Sequence, residues 1–159
     1  MPTYYEECRS ERPKSTIVHA ALVPEAAPGE MVTMQFGDLM SSVHGAHGGP
    51  NGAREWVKPG LVLGWRDGYE AQVPARTLSG ILDEHGAPEV DLLSLDVEGY
   101  EPEALRGLDL DRHGPRWIVV EAHDLLSGRK AIEDVLGNRY VMHAQVSPLD
   151  LLYRRVDSA

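Results

Sequence analysis

The clearest pattern along the chain is an apolar run that stops abruptly on acid. Asp91-Leu-Leu-Ser-Leu-Asp-Val-Glu-Gly-Tyr-Glu101 predicts a strand over Val90–Leu95 that runs into Asp96, Glu98, Gly99 and Glu101. Trp117-Ile-Val-Val-Glu-Ala-His123 repeats the motif and ends on Glu121 and His123. Apolar runs without alternation suit strands covered on both faces, as parallel sheets are. Upstream, Thr16–Val23 reads as a strand stopped by Pro24, Pro28 and Gly29, and Met31–Phe36 alternates as a half-buried strand would. Gly60–Trp65 and Tyr69–Pro74 read as short strands on either side of Asp67-Gly68.

Three segments carry helical spacing. Thr77 is placed to cap a helix with Leu78, Ile81 and Leu82 on one face, ended by Gly86 and Pro88. Glu101-Pro102-Glu103 opens a second, since proline early in a helix gives up no needed donor. Asp124 to Leu136 is the third, with Gly128 as its weakest position. Tyr140–Val146 and Leu151–Val156 then read as two strands whose short connector requires antiparallel neighbours. The order strand-helix-strand-helix-strand-strand predicts an α/β fold: a mainly parallel sheet with an antiparallel C-terminal hairpin. Gly37–Gly60, rich in glycine from Gly45 onward, reads as a long loop, either a binding lid or disordered.

At 159 residues the chain suits a single domain over 1–159, and 42% apolar residues suit a packed core. Asp and Glu number 25 against 15 Lys and Arg, a formal charge of -10, which disfavours nonspecific attraction to nucleic acid or anionic membrane. Cys8 is the only cysteine, so neither an intrachain disulfide nor a multi-cysteine metal site is available. No long apolar span or secretory leader pattern occurs, and a cytoplasmic protein is the expectation.

With the segments placed, Val73-Pro-Ala-Arg-Thr-Leu-Ser-Gly-Ile-Leu82 and Asp91–Gly107 resemble the FkbM family of S-adenosylmethionine-dependent methyltransferases. Leu95-Asp-Val-Glu-Gly99 with Glu101, Leu105 and Gly107 carries the resemblance. Trp117–Glu121 matches the following family strand, and His19-Ala-Ala-Leu22 with Met31–Phe36 and Ser41-Ser42 matches more weakly. The resemblance implies a class I, Rossmann-like fold and S-adenosylmethionine as cofactor. The family's opening strand and glycine-rich turn, of the type Asp-x-Gly-Ala-x-x-Gly, have no counterpart here. The chain is therefore expected to correspond to the C-terminal two-thirds of the family domain. Such a chain would rearrange, or be completed by a partner, by a second copy or by sequence upstream.

The resemblance places Asp96 and Glu98 as catalytic candidates, with Asp96 the first choice for accepting or orienting a hydroxyl proton and Glu98 an orienting group; adjacency of the two strands adds His123 as a candidate base or substrate contact. Asp96 alternatively satisfies loop amides, and His123 alternatively caps a helix or faces solvent. Ala20, Ala21, Ser41, Ser42 and Asp96 are the expected cofactor contacts. Glu101, Glu121, Trp65 and Tyr69 are the expected contacts to an acceptor, a small-molecule or sugar hydroxyl. Asp96, Glu98, Glu121 and His123 are also suitable donors for a divalent metal. Their spacing matches no compact metal motif, and no metal is expected. The competing functional reading is a non-catalytic remnant or interaction module.

Overall fold

The computed structural model describes residues 2–64, 68–86 and 89–156. By its internal contacts the chain divides into two compact units, Met1–Ala21 with Ala27–Ala75, and Leu22–Ala26 with Arg76–Ala159.

The first unit begins with helix α1 (Pro2–Glu11) and continues through strands β1 (Ala21–Leu22), β2 (Met31–Gln35) and β3 (Ser42–Val43). Helix α2 (Pro50–Gly64) and strand β4 (Glu70–Arg76) follow. The strands order as β1-β4-β2-β3, and β2 runs antiparallel to both β3 and β4. The alternating sequence of β2 ends on buried Gln35, and Phe36 beyond it stacks on Tyr69 at 4.5 Å. Most of the segment expected as a glycine-rich loop is ordered secondary structure. A left-handed turn at His47, Gly48 and Gly49 feeds α2, which Pro50 opens and which buries Ala53 and Val57. Its glycines serve close packing: a Cβ on Gly60 would lie 2.1 Å from the Gly37 carbonyl oxygen. The strand expected over Gly60–Trp65 is instead the end of α2 as far as Gly64, and Trp65 lies outside the described residues.

The second unit carries α3 (Leu78–Glu84), β5 (Leu92–Leu95), α4 (Glu101–Arg106), α5 (Leu110–His113) and β6 (Trp117–Glu121). It ends with α6 (Ser127–Leu136), β7 (Tyr140–Gln145) and β8 (Asp150–Arg155). Thr77 caps α3 as expected, its hydroxyl accepting from the Gly80 N–H at 3.0 Å. The sheet order is β5-β6-β8-β7. β5 and β6 are parallel, while β8 is antiparallel to both β6 and β7.

These pairings overturn the expected mainly parallel, Rossmann-like sheet. The short connector after β7 reverses the chain, and β8 rather than β7 enters beside β6, which makes two of the three ladders antiparallel. The apolar runs misled because they are not covered on both faces. Along β6, Ile118 and Val120 are fully buried while their neighbours are half-buried, and on the edge strand β5 Leu92 is 56% exposed.

The core of this unit gathers Leu105 of α4, Ile118 and Val120 of β6, Ile132 and Leu136 of α6, and Tyr153 of β8. Burying each of these side chains contributes about 1.5–3 kcal/mol. Tyr140 is buried with its hydroxyl donating to the Pro115 carbonyl at 2.6 Å. Ser79 ties α3 to α5. Its hydroxyl accepts the Asp109 N–H at 2.7 Å and lies 3.0 Å from His113 Nδ1, while His113 Nε2 lies 3.2 Å from Asp83. Among the described residues, no helix is long and apolar enough to cross a membrane.

Candidate active site

The register of β5 and β6 builds the acidic edge. Leu95 pairs with Val120, so the next residues, Asp96 and Glu121, leave two adjacent parallel strands side by side. Ligand-binding groups collect at such C-terminal strand edges. Beyond β5 the chain turns through Glu98 and Gly99, both at positive φ (55° and 85°), into α4. Beyond β6 it places His123 two residues after Glu121.

The five groups converge. One oxygen each from Asp96, Glu101 and Glu121 lie within 4.8 Å of one another, as do one atom each from Glu98, Glu121 and His123. His123 Nε2 is 2.8 Å from Glu121 Oε2 and 3.6 Å from Glu98 Oε2. Asp96 is exposed, Glu98, Glu121 and His123 are half-buried, and Glu101 is 3% exposed. Glu101 spends one oxygen on the backbone, accepting the N–H groups of Val97 and Gly99 at 3.0 Å each.

Burial first, and then the negative charges of Asp96, Glu98 and Glu101 and a hydrogen bond with Asp96, push the Glu121 carboxyl up to about 7. Desolvation and like charge both disfavour the ionised form. The site thus contains a carboxyl that gains and loses its proton near neutrality, in contact with an imidazole. Both sets of three hold donors that a divalent cation takes, carboxylate oxygens alone in the Asp96 set and an imidazole nitrogen besides in the His123 set.

The other expected site residues, Trp65 apart, are placed in the first unit. Ser41 Oγ accepts the Gly37 N–H at 3.1 Å and donates to the Asp38 carbonyl at 2.7 Å. Ser42 is 1% exposed and stands opposite Gln35 across the β2–β3 ladder. Ala20 is half-buried and Ala21 buried, and Tyr69 is 43% exposed. Trp65 lies outside the described residues.

The matched residues decide the family. The family model of the methyltransferase FkbM domain covers residues 2–147. The chain belongs to the FkbM methyltransferase family. No curated protein and no solved structure matches it. Membership assigns the FkbM chain to S-adenosylmethionine-dependent methyl transfer as an activity class, and the whole acidic edge falls inside the matched span. That span stops in the β7–β8 connector, so β8, which lies beside β6, is outside it.

Sequence reasoning brought all five residues of the edge forward but missed two of their properties. The raised proton affinity of Glu121 depends on burial and on neighbours distant in sequence. The backbone role of Glu101 had a readable signal: an acid in the first helical turn, two residues after a glycine.

Proposed function

We propose that this FkbM protein transfers a methyl group to a hydroxyl of a small molecule or sugar, with the Glu121–His123 pair taking the hydroxyl proton. The observation that carries the reading is the Glu121 carboxyl at about 7, in contact with His123 at the edge of two parallel strands. General bases work best when their proton affinity lies near the working pH.

The cluster's chemistry fits a cationic sulfonium: acids at one strand edge attract positive charge. Asp96, exposed at that edge, and Glu98 are the residues that would face it. Bound S-adenosylmethionine supplies an electrophilic methyl whose bonding electrons remain on sulfur as the acceptor oxygen displaces it. Glu121, ionised, accepts the proton the acceptor oxygen loses, directly or through His123. Glu98, 3.6 Å from His123 Nε2, orients the ring.

One observation favours the other reading, a module that requires a partner. β5 is the edge strand of its sheet and leaves Leu92 56% exposed. Calorimetric titration of the folded chain with S-adenosylmethionine and S-adenosylhomocysteine separates the two. Saturable one-site binding supports the enzyme. A folded chain that binds neither sinks the proposal for this chain alone and leaves the partner-dependent reading.

A further inference from the structure

Of the five clustered residues, Glu98 alone sits in the left-handed region, at φ 55°. A side chain other than glycine's holds that conformation when its surroundings over-determine it. The surroundings here are specific. Glu101 Oε1 accepts from Val97 N–H and Gly99 N–H, the two amides that flank Glu98. Glu101 is 3% exposed and begins α4, whose Ala104 and Leu105 are fully buried, so the accepting oxygen is anchored to the core.

We infer that Glu101 is a positioning residue: its buried carboxylate pins the amides on either side of Glu98 and thereby sets the Glu98 carboxylate beside His123. The inference rests on the proposed proton-accepting role of the Glu121–His123 pair and assigns Glu101 a part in it other than substrate contact. Glu101 acts through the loop, Glu98 acts on the ring, and the ring meets Glu121 at 2.8 Å.

The test compares E101Q, which keeps an accepting oxygen, with E101M, which keeps the volume and loses it. E101D retains the charge but falls a methylene short, and it replaces E101M if that variant does not fold. Amide exchange at Val97 and Gly99 stays near the wild-type rate in E101Q. In E101M or E101D it rises about ten- to a hundredfold, while the β6 amides are unchanged. Glu98→Gln moves the His123 ring resonances in wild type and in E101Q, and leaves them in place in E101M. Where methyl transfer is measurable, Glu98→Gln lowers kcat in wild type and not further in E101M.

Unchanged exchange in both E101M and E101D overturns the inference, and so does an equal response of His123 to Glu98→Gln in every background. Absence of methyl transfer overturns the proposed activity, and the exchange and ring-resonance comparisons then decide the positioning role by themselves.

Discussion

Glu121 and His123 leave β6 two residues apart with their side chains in contact, Oε2 to Nε2 at 2.8 Å. Alternation along an extended chain explains the meeting, because residues i and i+2 share a face. Ala122 between them is buried at 2% exposure on the opposite side.

The rate of methyl transfer should therefore rise with pH through about 7 and level off above it, as Glu121 loses its proton. Replacing Glu121 with Gln removes both the rise and the base, lowering kcat by about 10²- to 10⁴-fold. Profiles of kcat and kcat/KM between pH 5.5 and about 9 check this. A flat wild-type profile would remove Glu121 from the mechanism.

The same carboxyl has a consequence for stability. Its folded-state pKa is raised from the ordinary 4.5 to about 7, so the folded protein holds the proton more tightly than the unfolded chain does. The stabilisation is fully present below about 4.5 and is lost as pH rises through about 7. Glu121→Gln, neutral throughout, should gain stability relative to wild type as pH rises across this window. Thermal melts of both proteins at the two ends of the window measure it. Equal differences at both ends would contradict the linkage.

Asp96 acts on this group from the neighbouring strand. Burial is the leading cause of the Glu121 shift, and the Asp96 charge comes next. Asp96→Asn should accordingly lower the Glu121 titration midpoint only part of the way toward the ordinary carboxylate range. Carbon-detected NMR of the labelled carboxyl follows it directly. A full return would mean that charge, rather than burial, controls the group.

Ser79, His113 and Asp83 lie in the order of a hydrolytic triad, yet their contacts are structural. Ser79 is 8% exposed and its hydroxyl receives the Asp109 N–H, while Asp83 is held by both terminal nitrogens of Arg112. The Arg112 hydrogen bonds keep the Asp83 carboxyl below its usual range. Ser79→Ala should cost about 1–2 kcal/mol in urea unfolding, since it strands the Asp109 donor. Methyl transfer per folded molecule should be unchanged, and a large loss of it would place Ser79 in the chemistry.

Much of the site was legible because its residues follow two apolar strands whose ends are written locally. Asp96, Glu98, Glu101, Glu121 and His123 all come from one recurring pattern, an apolar run ending in acid. Sheet direction was not legible in the same way. Val90–Leu95 and Trp117–Glu121 read as runs buried on both faces, but exposure at Leu92 and alternating burial along β6 reflect neighbours that the run itself does not encode. Insertion of β8 beside β6 is a choice made by tertiary packing. Glycine was ambiguous for a related reason: the same residue serves a left-handed turn at Gly48 and close packing at Gly60.

Gly60 and Gly128 separate these uses of glycine in a measurable way. Both lie in helices, where replacement by Ala gains about 1 kcal/mol from propensity alone. At Gly128 of α6 an added Cβ meets nothing nearer than Ala122 Cβ at 3.8 Å, so Gly128→Ala should be stabilising by up to that amount. At Gly60 of α2 the added Cβ would stand 2.1 Å from the Gly37 carbonyl oxygen, a backbone atom that cannot rotate aside. Overpacking of this kind costs about 1–3 kcal/mol, enough to outweigh the helical gain. Gly60→Ala should therefore be destabilising in urea unfolding while Gly128→Ala is not. A stabilising Gly60→Ala would mean that α2 does not pack on the Gly37 backbone.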